Sequence, residues 1–343
     1  MFKKIGISFI GVAVASAMFA ACSSDENGAG PAEIPESSSD AIVAQSSSDV
    51  ISAQSSSSSA VTPDSSSDVI PDSVGDLLSS SSVAVIPSSS SAVIPGLTGD
   101  LLWSDEFEGS ALDLSKWSYE TGNTGWGNNE LQYYTNRTEN AYIADGVLHI
   151  AAKKESYEGA NYTSARLITK GKFDFTYGTV EARIALPVGK GIWPAFWMLG
   201  ANIDNAIWPL CGEIDIIEAV NDESVVYGTH HWSHEGQHAE YGNNTKDYYG
   251  TSYDLDITKF HNYKMTWDKN AITMYVDDFL YQKIDITLEK DAAGNNIASD
   301  MGTFHKPFFF ILNVAVGGNW PGFDIDDSQF PNEMLVDYIR VYK

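Results

Sequence analysis

Beyond about Leu97 the chain consists of short runs in which apolar and polar residues alternate, and no long stretch keeps helical periodicity. The clearest runs are Val147-Leu148-His149-Ile150, Thr179 to Ile184, Val225 to Gly228, Tyr263 to Trp267, Ile272 to Val276, Phe308 to Val316 and Met334 to Tyr342. Asn, Asp and Gly turns divide them, as at Ala144-Asp145-Gly146. Strands with one apolar face bury it by packing sheet on sheet. The expected fold is all-β, an antiparallel β-sandwich of jelly-roll type, in one domain over residues 97–343. All of the chain's Trp and Tyr and most of its Phe fall there, which gives a core its bulk.

The preceding residues cannot build a core. From about Ser23 to Gly96 the chain is dominated by Ser, Ala, Val, Ile, Pro and Asp, with no aromatic residue and no Lys or Arg. Serine runs begin at Ser37, Ser46, Ser55, Ser65, Ser79 and Ser88, but these repeats carry too little apolar bulk for a solenoid. Residues 22–96 therefore read as a disordered, solvated linker that supplies reach.

Residues 1–21 read as a secretory signal: Lys3 and Lys4, an apolar run from Ile5 to about Ala21, and small residues before Cys22. The run is short for a membrane span. Phe19-Ala20-Ala21-Cys22 resembles the lipobox of bacterial lipoproteins, in which the cysteine thiol is acylated, although Phe19 departs from the usual Leu. The competing reading is a signal cleaved nearby, with Cys22 incidental. With Cys22 acylated the protein is an exported bacterial lipoprotein at the cell surface (the outer membrane) or outside the cell. Its contact with the membrane is then through an N-terminal lipid anchor alone. Cys211, the other cysteine, would have no disulfide partner.

The net charge is −26, and the linker's ten acids leave about −16 elsewhere. That balance disfavours nucleic acid as a partner and suits a secreted monomer acting on a neutral polymer.

Residues Glu213 to Glu218 read Glu-Ile-Asp-Ile-Ile-Glu, three carboxylates threaded through β-branched residues. On a strand Glu213 and Asp215 share a face, whereas Glu218 breaks that parity. One β-bulge between Asp215 and Glu218 restores it. The two Glu backbones would then stand roughly 13 Å apart. Two long side chains leaning inward narrow that gap to the about 5–5.5 Å that retaining glycoside hydrolysis requires. Taken alone, the hexapeptide is equally an exposed acidic strand face. Cys211 shares the Glu213 face by the same parity, and a small packed residue beneath the site is favoured over a catalytic thiol.

Just upstream, Trp193 and Trp197 share one face, while Phe196 and Met198 point into the core. Two indoles on the polar side of a sheet suit the apolar C–H faces of sugar rings; core packing is the alternative. Four of the seven histidines crowd between His230 and His238. Zinc ligation is one reading of them. An exposed Gly-rich loop carrying one site histidine is the favoured one.

At these residues the chain resembles glycoside hydrolase family 16, in its bacterial laminarinase-like branch of endo-β-1,3-glucanases. The resemblance covers Leu101 to Lys343. It rests on an ordered series of motifs: Trp103 to Phe107, Trp126 to Gln132, Tyr162 to Arg166, Gly191 to Met198, the acidic hexapeptide, Gly228 to His231, Leu312 to Gly318 and Val336 to Tyr342. It implies a concanavalin A-like jelly roll. It also implies Glu213 as the nucleophile, Glu218 as the acid/base and Asp215 as the group that keeps them in opposite ionisation states, the three titrating together. Trp193 and Trp197 match aromatic floor positions and Arg166 a substrate-contacting arginine. Asn128 and Glu130 match a loop bordering the cleft, and His231 a cleft histidine beside the acid/base. The longer, bulged spacing matches laminarinases and agarases rather than the lichenases of shorter spacing. No cofactor is expected for catalysis. A structural Ca2+ at Glu108, Gly146 and Asp337 is implied by the resemblance.

The expected activity is retaining cleavage of internal β-1,3 bonds in laminarin-like or mixed-linkage β-glucans. The rivals are another specificity of the same fold (a β-1,3-1,4-glucanase or an agarase), transglycosylation, and a stalked module that binds glucan without cutting it.

Overall fold

The structure, a computed structural model, describes residues 99–343 except 292, 293 and 295. The expected signal segment, Cys22 with its acylation, and the linker lie outside the described residues.

The strands follow the alternating runs. In chain order they are β1 (Leu101–Asp105), β2 (Ser118–Glu120), β3 (Gln132–Tyr134), β4 (Ala141–Ala144), β5 (Val147–Tyr157), β6 (Ala160–Ser164), β7 (Arg166–Ile168) and β8 (Gly178–Ala185). They continue with β9 (Ile192–Gly200), β10 (Glu213–Glu218), β11 (Tyr227–His234), β12 (Gln237–Asn244), β13 (His261–Trp267), β14 (Ala271–Val276), β15 (Phe279–Asp285), β16 (Phe308–Val316) and β17 (Asn332–Tyr342). The described helices are single turns, such as Ala298–Met301. Val225 and Val226 fall before β11 rather than within it.

Two sheets result. One has ten strands, ordered β15-β14-β13-β8-β17-β5-β6-β3, with β1 beside β17 and β4 beside β5. The other has seven, ordered β12-β11-β10-β9-β16-β7-β2. Every pairing is antiparallel except β3 with β6. The jelly-roll sandwich is thus the observed architecture.

The core lies between the sheets. Leu148, Ile150, Ile184, Met265, Met274 and Ile339 reach it from the ten-stranded sheet, and Phe196, Met198, Ile214, Ile217, Phe310 and Leu312 from the other. β16 is buried along its whole length, which explains its nearly unbroken apolar run. The same period of two throws Trp193 and Trp197 onto the outer face of the seven-stranded sheet.

The histidine-rich stretch is a hairpin, not an exposed loop. β11 and β12 pair in continuous register from Tyr227 with Asn244 to His234 with Gln237. Glu235 (φ 52°) and Gly236 (φ 77°) close it, a two-residue connection with positive φ at both positions that matches strand twist.

Candidate active site

The acidic hexapeptide is β10, with β9 on one side and β11 on the other. Asp215 pairs with Trp197 and Ile217 with Phe196, so Ile216 is an extra residue on β10. The β11 side shows the same slip, Asp215 pairing with Thr229 and Glu218 with Tyr227. Ile216 and Ile217 are consecutive and both buried. The bulge therefore returns Glu218 to the face that carries Glu213 and Asp215. The Tyr281 hydroxyl, reaching across from β15, donates to the Ile216 carbonyl and holds the bulged peptide.

Cross-strand register then orders that face in rows. Glu213 lies between Leu199 and His231, and Asp215 between Trp197 and Thr229. Glu218 lies between Ala195 and Tyr227, with Asn313 and Arg166 continuing its row across β16 and β7.

Burial raises all three acids, and repulsion from neighbouring carboxylates adds to it. Glu213 is pushed up to about 8 by burial and then by Asp215 and Glu218, while His231 and Arg166 pull it back. Glu218 is pushed up to about 8 by burial and then by Asp215. His231 and the Trp193 indole N–H, which donates to Glu218 Oε1 at 3.0 Å, oppose that rise. Asp215, 3 % exposed, is raised well above the carboxylate range by burial and by Glu240. Three carboxyls this close cannot all ionise together at neutral pH.

His231 stands at the other end of this set from the place expected. It pairs with Glu213, with Nε2 3.0 Å from Asp215 Oδ2 and 3.7 Å from Glu213 Oε1. The reason is register: two positions along β11 separate it from the Thr229 that faces Asp215, and four from the Tyr227 that faces Glu218.

Comparison with known proteins agrees with this geometry. The Glycosyl hydrolases family 16 profile matches residues 127–340. This chain belongs to that family. A Beta-glucanase of Rhodothermus marinus is 44 % identical over 256 residues, 70 % of this chain and 84 % of the relative. A Glucan endo-1,3-beta-glucosidase A1 of Niallia circulans is 39 % identical over 259 residues, 70 % of this chain and 37 % of the relative. The solved laminarinase of Rhodothermus marinus superposes with a TM-score of 0.63 at 42 % identity, covering 72 % of this chain and 98 % of that one. The chain is accordingly a glycoside hydrolase.

The remaining positions singled out by family 16 resemblance divide into walls and supports. Arg166 is mostly enclosed: its Nε donates to Glu120 Oε2 at 2.6 Å, and its guanidinium lies 4.9 Å from the Trp126 ring and 4.8 Å from the Trp197 ring. It clamps the wall more than it projects from it. The Trp197 N–H donates to Asn313 Oδ1 at 2.7 Å, which fixes the indole's rotation.

Glu130 is buried rather than lining the cleft border. It accepts hydrogen bonds from Gln132 Nε2 (2.6 Å), Tyr134 OH (3.1 Å) and Asn128 Nδ2 (3.3 Å), and burial raises it above the usual carboxyl range. Tyr134 in turn accepts from Asn313, so this network ends under Trp197. Asn128 is only partly buried, and its carbonyl accepts the Asn319 N–H at 2.8 Å.

Cys211 does not share the Glu213 face. β10 begins at Glu213, and Gly212 (φ 81°) turns the chain before it, so strand parity does not extend back to the cysteine. Burial pushes the thiol up to about 11, which removes the catalytic-thiol reading.

Two exposed indoles escaped the sequence reading. Trp320 packs edge-on against Trp193 (5.5 Å) and Tyr227 (5.1 Å), and Trp208 lies 4.7 Å from the His238 ring. An indole next to a Gly-Gly turn, as in Gly317-Gly318-Asn319-Trp320, was the available cue.

For calcium, the pairings of Leu148 with Val336 and Asp105 with Ile339 place Gly146, Glu108 and Asp337 at neighbouring positions along β17, where β5 gives way to β1. Oxygen donors fit calcium, although Arg183 Nη1 already donates to Asp337 Oδ2 at 2.6 Å.

Proposed function

We propose that the protein is a retaining endo-glycosidase of β-1,3-glucans, laminarin-like or mixed-linkage, with Glu213 as nucleophile and Glu218 as acid/base. The observation that carries this reading is the Ile216 bulge, which sets both glutamates on one face with Asp215 between them. Their environments support distinct roles. His231 lies against Glu213 and Asp215, favouring the ionised form needed for attack at the anomeric carbon. Glu218 sits beyond the bulge, farther from His231 along the strand, where burial and Asp215 raise it so that it holds the proton for the leaving oxygen. Trp193's hydrogen bond then strengthens as Glu218 becomes a carboxylate. In the second half-reaction that carboxylate takes a proton from water, which cleaves the glycosyl–Glu213 ester.

Trp197, held by Arg166 and Asn313, and the Trp193–Trp320 pair offer apolar faces for sugar rings. The names of the relatives support β-1,3-glucan as substrate. The lipoprotein signal and serine-rich linker support a tether that holds the domain away from a membrane surface while it acts on polymer outside the cell. A calcium ion at Glu108, Gly146 and Asp337 would act on stability, remote from the chemistry.

The decisive test is hydrolysis of laminarin, lichenan and agarose side by side, with product anomers followed by proton NMR. Laminarin releasing β-configured reducing ends first is the expected result. Glu213→Gln and Glu218→Gln each abolish that release while leaving glucan binding intact. Undiminished turnover in either variant, or α-configured first products, overturns the assignment.

A further inference from the structure

Beside the three acids, the β11–β12 hairpin gathers a second set of polar atoms. His231 pairs directly with Glu240, and His238 sits two pairs further along, opposite Ser233 and so on the same face. His231 Nδ1 is 2.8 Å from His238 Nε2 and 3.5 Å from Glu240 Oε2, and His238 Nε2 is 3.7 Å from that same oxygen. Ligands about 2.0–2.1 Å from a tetrahedral cation stand about 3.3 Å apart, within the span these three atoms already occupy. His238 and Glu240 are exposed enough to make the small adjustment.

Two imidazoles and a carboxylate with one face open make a donor set suited to zinc. The surroundings add what such a site needs. A metal-bound histidine usually directs its other ring nitrogen at a carboxylate, and His231 Nε2 already faces Asp215 Oδ2 at 3.0 Å. The other two histidines of the stretch are engaged elsewhere: His230 is buried against Gln282, and His234 is paired with Asp300.

We propose that His231 Nδ1, His238 Nε2 and Glu240 Oε2 bind a divalent transition-metal cation, zinc by preference, at the edge of the active site, and that this cation inhibits hydrolysis. A cation on His231 Nδ1 locks the ring whose other nitrogen faces Asp215 and Glu213 and fills the edge of the cleft beside Glu213, so a sugar ring can no longer settle against that carboxylate. The inhibitory consequence rests on the catalytic roles proposed above, whereas the binding site does not.

The test titrates zinc chloride into the full chain by calorimetry, with cobalt(II) absorption reporting tetrahedral nitrogen and oxygen ligation. Saturable binding of one zinc per chain is expected. His238→Ala and Glu240→Gln should each weaken it at least about 10-fold, while His234→Ala binds as the native protein does. Laminarin hydrolysis should fall with zinc in the native chain and in His234→Ala, and stay level in His238→Ala. No saturable binding, or equal binding by His238→Ala and the native chain, overturns the site. Binding without inhibition overturns its regulatory role. Absence of hydrolysis in zinc-free native protein counts against the catalytic reading alone, because the isotherms still decide the metal site.

Discussion

The hydroxyl of Tyr281, on the ten-stranded sheet, donates to the carbonyl of Ile216, the extra residue of the β10 bulge on the facing sheet. A bulge leaves a peptide outside the ladder, and in a buried strand that peptide needs a partner from elsewhere. Tyr281→Phe keeps the ring and removes the donor. The loss should destabilise the domain by about 1–3 kcal/mol. It should also loosen the placing of Glu218 relative to Glu213, lowering kcat about 10-fold with little change in KM. Steady-state kinetics with a melting curve checks both; a stability loss at native kcat would show that the bulge holds itself.

Asp215 raises both glutamates, so its charge sets where the activity profile lies on the pH axis. Asp215→Asn removes that repulsion and lets Glu213 and Glu218 ionise at lower pH. Both limbs of the kcat/KM profile should move to lower pH by about one unit or more. Activity near neutrality falls most, because Glu218 is then deprotonated when it must act as acid. Limbs that stay in place would mean Asp215 is uncharged throughout the working range.

The raised pKa of Glu213 is also a statement about stability. Its value is 4.5 ordinarily and about 8 in the folded chain, so the folded state holds the proton more tightly. Stability from this group is fully present below 4.5 and is lost as pH rises toward 8. Glu213→Gln cannot ionise and escapes that loss. After allowance for coupling among the acids, the gain at pH 8 is about 1–3 kcal/mol, or a rise of about 2–4 °C in Tm for each kcal/mol. Melting curves of the native chain and the variant should converge below pH 4.5. Parallel curves at all pH values would contradict the linkage.

How much of this was legible in the residues depended on whether a feature was local. The bulge was legible because Glu213, Asp215 and Glu218 cannot share a face without one, and period two is a property of the strand itself. The Trp193 and Trp197 face followed from the same rule. His231 was misplaced because its neighbour depends on how β11 slides against β10, and no residue within either strand sets that register. The parity argument for Cys211 failed at one glycine with positive φ, where the strand had not yet begun. Glu130, placed at the cleft border by the resemblance, proved buried because its β3 partners Gln132 and Tyr134 are themselves held by Val316 and Asn313 of β16, a contact that no local pattern reveals.

That buried carboxylate gives a sharp test of the site's supporting frame. Glu130 accepts from three donors, Asn128, Gln132 and Tyr134, and donates to none of them. Glu130→Gln preserves size but presents an NH2 group where at least one of those donors already points, leaving two buried donors face to face. A buried unsatisfied donor costs about 1–3 kcal/mol, which lowers Tm by about 2–4 °C per kcal/mol in a domain of this length. The disturbance travels from Tyr134 through Asn313 to the Trp197 indole, so substrate binding should weaken more than the chemical step. KM for laminarin should therefore rise several-fold while kcat stays within a factor of about two. A variant whose KM and melting point both match the native chain would show that this network carries no load beneath the Trp197 wall.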